Sequence, residues 1–149
     1  MTTRRVHVIA ALVFGTALGG CATGARFDGP QAVPPDRAQL YVYRTASMVG
    51  LANSHKIAID SKPETLSLPA LSWQRAVLYP GPHDVTIKDF FGLTQCGTLR
   101  LELAPGQTAY VENIVGTINS AGVPVVGCWM AHRTPDEALK AMTDLRAAQ

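Results

Sequence analysis

Catalytic signatures are missing from this chain. It contains no Gly-x-Ser-x-Gly elbow, no His-Glu-x-x-His pair and no phosphate-cradling glycine loop, so the common hydrolase, metalloprotease and nucleotide-binding chemistries have no motif to rest on. The sequence therefore predicts a protein that is not an enzyme and that carries no cofactor and no metal. Charge is also scarce, at 16% of residues. No basic run is long enough to track a phosphate backbone, which excludes nucleic acid as an expected partner. The formal net charge is +2, and Arg4 and Arg5 account for all of it, leaving the remainder balanced. There are only three cysteines, too few for a disulfide-dense scaffold.

What is present begins at the N-terminus. Arg4 and Arg5 form a positive start, Val8 to Leu18 is an uncharged apolar run, and Gly19 and Gly20 precede Cys21. This order is that of an export signal. The run is shorter than the roughly 20 apolar residues that span a bilayer, so it reads as a removable address. Leu18, Gly19, Gly20 and Cys21 resemble the signal of a bacterial lipoprotein. That resemblance implies cleavage before Cys21, a diacylglyceryl group on its thiol and an acylated new amino terminus. Several acyl chains at about 0.8 kcal/mol per buried methylene make such an anchor nearly permanent. Ala22 and Thr23 follow the cysteine, with no aspartate of the kind that retains lipoproteins at the inner membrane, so the expected location is the outer membrane, facing the periplasm.

The expected organisation is a signal peptide over 1–20, a lipidated flexible tether over 21–37 and one folded domain over 38–149. A chain of 149 residues, shorter by the leader, suits one core and not two. Gly24, Gly29, Pro30, Pro34 and Pro35 give the tether its composition. The two remaining cysteines, Cys96 and Cys128, form an even pair in an exported chain and predict a disulfide; buried free thiols and a metal site are the alternatives. His55, His83 and His132 lack compact ligand spacing to those cysteines, apart from a weak Cys128 to His132 pair.

Short extended runs follow one another. Ala38 to Arg44 alternates Tyr41 and Tyr43 against Leu40 and Val42. His55 to Asp60 places Ile57 and Ile59 on one face, Thr65 to Leu68 is a short edge strand, and Trp73 to Tyr79 ends at Pro80. After the Pro80, Gly81, Pro82 turn comes His83 to Phe90, then Gly97 to Leu103 with Leu99, Leu101 and Leu103 pointing one way. Gln107 to Val115 and Val123 to Ala131 flank a hairpin loop near Thr117 to Gly122. With no helix between strands to make parallel crossovers, antiparallel neighbours are expected. Thr134 as N-cap, Pro135 at the first helical position and Glu137 at the third start a closing helix whose apolar face is Ala138, Leu139, Met142 and Leu145. That helix is expected to pack on the sheet or cover an edge. The predicted fold class is all-β: a small antiparallel β-sandwich, transthyretin-like, with a C-terminal α-helix.

Candidate binding residues are few. Arg44 ends an aromatic strand, where it is expected to make a structural ion pair or to stack on a ring. Tyr41, Tyr43, Trp73, Tyr79, Phe90 and Phe91 are candidates for an aromatic ligand groove. His83 begins a strand beside a constrained turn, and hydrogen-bonding that turn is its expected role. Asp84 and Asp89 fall on opposite faces of a regular strand, so they do not pair. His55 and His132 read as surface or strand-end residues.

Tyr41, Val42, Tyr43 and Arg44, the Pro80, Gly81, Pro82, His83 turn, and Pro105, Gly106, Gln107 leading to Tyr110 together give Ala38 to Ala131 a likeness. The chain resembles the small exported lipoprotein domains grouped as domain-of-unknown-function family 2846. The resemblance implies an all-β domain and no established activity. It departs from that pattern at Ser61 and Lys62, where a glycine would ease the turn after Asp60. The expected function is that of a lipid-anchored, non-enzymatic envelope protein. It would bind the membrane through its lipid and make contacts to envelope proteins or cell wall. The alternative is a small-ligand module carried by an aromatic groove.

Overall fold

The computed structural model describes residues 23–50, 52–62, 66–89 and 95–149. Cys21, the expected signal peptide, Thr65, Phe90 and Phe91 lie outside the described residues. The chain runs β1 (Ala38–Arg44), β2 (His55–Ile59), β3 (Leu66–Leu68), β4 (Ser72–Leu78), β5 (Gly81–Lys88), β6 (Gln95–Leu103), β7 (Thr108–Ser120), β8 (Val123–Arg133), α1 (Pro135–Met142) and β9 (Arg146–Ala147). Two sheets face each other, one in the order β8-β7-β1-β4-β9 and one in the order β3-β2-β5-β6. The protein is an all-β sandwich with a C-terminal helix.

The central strand β1 is buried along its whole length, because both of its faces are covered. Ala38, Leu40 and Val42 face the second sheet and meet Ile57, Val85, Ile87, Leu101 and Leu103 in the inner core. Tyr41 and Tyr43 face the other way, into a second apolar cluster with Phe27, Tyr110, Ala138, Met142 and Leu145. A strand of alternating small aliphatics and tyrosines is what a three-layer arrangement requires at its middle. The helix starts as its sequence indicates, with the Thr134 side chain accepting from the Glu137 amide and the Glu137 side chain returning to Thr134. Its buried Ala138 and Met142 roof the tyrosines.

Two expectations need correction. The pairing is not antiparallel throughout: β1 lies parallel to β7 and β4 parallel to β9. The β1–β7 pair closes through a long excursion into the second sheet, which serves as the crossover that a helix would otherwise supply. Residues 23–27, expected in the tether, lie against the folded domain instead. Phe27 is buried, with its ring edge-on to Tyr41 at 5.6 Å and to Trp73 at 5.7 Å. Backbone bonds from Gly24 to Ala147 and from Phe27 to Leu145 tie residues 23–27 along the outer edge of β9. One aromatic ring with an apolar pocket to fill outweighs the prolines and glycines around it.

Candidate functional site

The β7–β8 hairpin is the longest ribbon of the fold and runs beyond its neighbours. Pairing of β1 with β7 stops at Tyr43↔Glu112, whereas β7 and β8 stay paired out to Ser120↔Val123. Among the described residues, β7 from Asn113 onward is paired with β8 alone, and the ribbon becomes an arm that extends past β1. Its turn is the two-residue loop Ala121 and Gly122, both with positive φ, at 51° and 82°. This left-handed pair matches the twist of the flanking strands.

On the arm's outer face the register puts Ile114 opposite Trp129, Gly116 opposite Gly127, Ile118 opposite Val125 and Ser120 opposite Val123. The glycine rung is a packing device. A Cβ on Gly116 would lie 3.1 Å from the Trp129 ring, and one on Gly127 would lie 2.9 Å from the Ile118 side chain. The indole and the isoleucine thus lie flat across bare backbone from opposite strands. Ile118, Val123, Val125, Val126 and Trp129 are all exposed. From Asn113 to His132 the arm has no Asp, Glu, Lys or Arg. Exposed sheet edges ordinarily carry such charges to discourage pairing; only Pro124 interrupts this one.

Charge returns abruptly at the base. Arg133 Nε donates to Glu112 Oε2 at 2.8 Å, and Thr45 Oγ1 donates to Glu112 Oε1 at 3.2 Å. That bond to Glu112 raises the Arg133 pKa further, while the Thr134 backbone amide and hydroxyl hold Glu137 below the usual carboxylate range. Tyr43, Glu112, Arg133, Glu137, Lys140 and Ala141 line an open groove of about 440 Å³. Burial and then the Glu112 carboxylate push the Tyr43 hydroxyl up to about 12, so Tyr43 stays neutral at physiological pH.

A second polar group lies inside. Strand alternation puts Arg44 on the same inward face as Leu40 and Val42, and its guanidinium is 1% exposed. The expected ion pair or ring stacking is replaced by backbone: Nη1 donates to the Asn53 carbonyl and Nη2 to the Gly50 carbonyl at 2.6 Å. The loop before β2 thus turns two of its carbonyls onto the cation. Burial lowers its pKa, yet an arginine stays charged. His55 sits at a strand end, one of the two placements expected for it, as the first residue of β2, and it is buried there rather than on the surface. Its Nδ1 accepts from Asn113 Nδ2 at 2.6 Å and lies 3.6 Å from Cys96 Sγ. Burial, then the nearby Arg44 charge, brings its pKa down to about 4, so the imidazole is neutral. The Cys96–Cys128 disulfide is formed and joins the two sheets through β6 and β8.

Among the described residues, the binding candidates Arg44, Tyr41, Tyr43 and His83 do not form one site. Tyr41 is fully buried and stacks on Tyr110 at 5.7 Å, so the aromatics near it form core and not a groove. Tyr79 is exposed beneath the Arg37 guanidinium, 3.6 Å from its ring centroid. Tyr43 lines the groove beside Arg133. His83 does what its position suggested: its ring nitrogens bond Asp60 Oδ2 at 2.8 Å and the Tyr79 carbonyl at 2.7 Å, across the proline and glycine turn. His132 is exposed on β8. What sequence reasoning missed was the arm, although its uncharged stretch was there to be counted.

No protein-family model matches the chain, and no characterised protein matches it at a significant level. Among the described residues, no helix is long and apolar enough to cross a membrane.

Proposed function

We propose that this is a lipid-anchored, non-enzymatic protein of the bacterial envelope, held at the outer membrane through Cys21, whose sandwich presents the β7–β8 arm to another envelope protein. The reading joins the lipoprotein-like leader and the likeness to family 2846 with one observation, the exposed, uncharged, apolar arm. An apolar stripe beside an open strand edge suits an extended, uncharged segment of a partner, which can add backbone hydrogen bonds along β8 and lay alternate apolar side chains on Trp129 and Val125.

The position of Thr23 favours a protein over the anchoring bilayer as occupant. Thr23 is bonded to Gln149 and Gly24 to Ala147, along the β9 edge. That edge is at the opposite end of the sheet order from β8, about 19 Å away at ordinary strand spacing. Only Ala22 separates Thr23 from Cys21. An anchor there leaves the arm on the far edge, and confinement beside the membrane raises the effective concentration for a partner in the same layer.

The test places a photocrosslinking residue at Val125 in intact cells, with Lys62 as the control position. The reading requires a discrete protein adduct from Val125, absent from Lys62 and lost when Trp129→Glu is added. Adducts of phospholipid or of a second copy of this chain would overturn the partner assignment. A Cys21→Ser variant that still fractionates with membranes would overturn the anchor.

The groove beside Tyr43 supports a second reading, a small polar ligand held between Arg133 and Glu137. Calorimetric titration with envelope metabolites tests it, with Lys140→Ala weakening any binding found.

A further inference from the structure

We propose that Cys96, Cys128 and His55 form a binding site for one thiophilic d¹⁰ cation, Zn²⁺ or Cu⁺, that exists only when the disulfide is reduced. The three side chains come from β6, β8 and β2, and their donor atoms all lie within 4.8 Å of one another. Chain spacing gives no hint of this. His55 stands 41 residues from Cys96, and only the packing of one sheet on the other brings the imidazole to the sulfurs.

The geometry is close to what such an ion needs. A thiolate sulfur and an imidazole nitrogen that share a tetrahedral zinc stand about 3.5 Å apart, given bonds of about 2.3 Å and 2.0 Å. Cys96 Sγ and His55 Nδ1 are 3.6 Å apart. Two thiolates and one neutral imidazole are ligands that select zinc or cuprous ion over hard cations.

A second observation points the same way. Asn113 is 1% exposed, and among the described residues its Oδ1 has no hydrogen-bond partner. A buried amide oxygen without a donor is costly, and here it belongs to the side chain already touching His55. For Nδ1 to take the metal, the Asn113 amide nitrogen now bonded to it must turn away, and that turn offers this oxygen as a fourth donor.

The chemistry balances in two steps. A dithiol reductant gives two electrons and two protons to the Cys96–Cys128 bond, which becomes two thiols while the dithiol becomes a cyclic disulfide. The ion then replaces the two thiol protons, which leave to solvent, and forms two metal–sulfur bonds. Disulfide and metal are therefore mutually exclusive states of one pair. Both states cross-link the same two sheets at the base of the arm.

The experiment reduces the purified chain with a dithiol, removes the reductant without oxygen, and titrates Co²⁺ as a zinc surrogate while recording sulfur-to-metal charge-transfer absorption and far-UV circular dichroism. One equivalent is expected to saturate the band, Zn²⁺ to displace it, and the untreated disulfide form to show none. His55→Ala and, as a milder change, His55→Gln should weaken binding at least tenfold. If reduction unfolds the chain, the proposal requires one equivalent of Zn²⁺ to restore the β-sheet spectrum. A reduced chain that binds no Co²⁺, binding undiminished in both His55 variants, or equal binding by the disulfide form would each overturn it.

Discussion

His83 and Asp60 are locked together, with Nδ1 2.8 Å from Oδ2, while the same carboxylate's other oxygen accepts the Asp84 amide at 3.1 Å. The imidazole's second nitrogen points at the Tyr79 carbonyl, 2.7 Å away. Both ring nitrogens thus face acceptors, and only the doubly protonated imidazolium can donate to both. In that form one side chain closes the turn between β4 and β5 and ties it to the turn after β2.

This clasp sets a pH dependence. Burial pulls the His83 pKa down, but the Tyr79 carbonyl and the Asp60 carboxylate together outweigh it and the net shift is upward. A raised histidine pKa contributes stability in full below the unfolded value of about 6.5 and loses it as pH rises through the folded value. For Asp60, burial pushes upward, but the His83 and Asp84 bonds prevail and the shift is downward. Its contribution is present above the ordinary carboxylate pKa and is lost as pH falls through the folded value. Urea unfolding should therefore show His83→Gln losing up to about 1 kcal/mol relative to wild type at pH 5.5. The difference should shrink by pH 9; a constant one would show that His83 acts while neutral.

The turn that carries Asp60 is itself strained. Asp60 and Ser61 have φ of 55° and 57°, a left-handed pair that non-glycine residues resist. Lys62 nevertheless closes the turn onto the Ile59 carbonyl at 3.1 Å. Ser61→Gly should stabilise the protein by about 0.5–1 kcal/mol, the relieved strain exceeding the added unfolded-state freedom. A rise in thermal midpoint checks this.

Arg44 lies under the opposite constraint, a buried cation held by two carbonyls. Arg44→Ala removes the packed stem as well as both bonds, and should cost about 3 kcal/mol or more. Arg44→Met keeps most of the volume and should cost less, so the gap between the two in chemical denaturation measures the stem's packing.

Gly116 supports the arm's outer face. Because its Cβ would press on the Trp129 ring at 3.1 Å, Gly116→Ala should tilt the indole toward solvent. In a Trp73→Phe background the emission maximum should move to longer wavelength, with a stability loss of about 1 kcal/mol or less.

Much of the fold was legible in the sequence because short-range rules govern it. The alternation in β1, the three leucines of β6, the helix cap at Thr134 and the turn at Pro80 depend on neighbours a few residues away, and all were read correctly. The two-residue β9 carries too little pattern to be seen. The parallel β1–β7 pair depends on closure over a long stretch of chain, for which no local residue pattern speaks. Phe27 looked like tether because composition averages over a window, while its burial depends on the one gap between Tyr41 and Trp73.

The candidate sites divide the same way. The amino-acid order alone fixed the all-β class, the even cysteine pair and the role of His83 beside its turn, since each follows from residue type and immediate context. Only the tertiary structure decided that Arg44 is caged by carbonyls, that His55 meets the cysteines and that β1 stops pairing with β7 at Glu112. Those facts depend on which sheet lies over which and on where a neighbouring strand ends, and such distances arise only when remote segments of the chain are packed together.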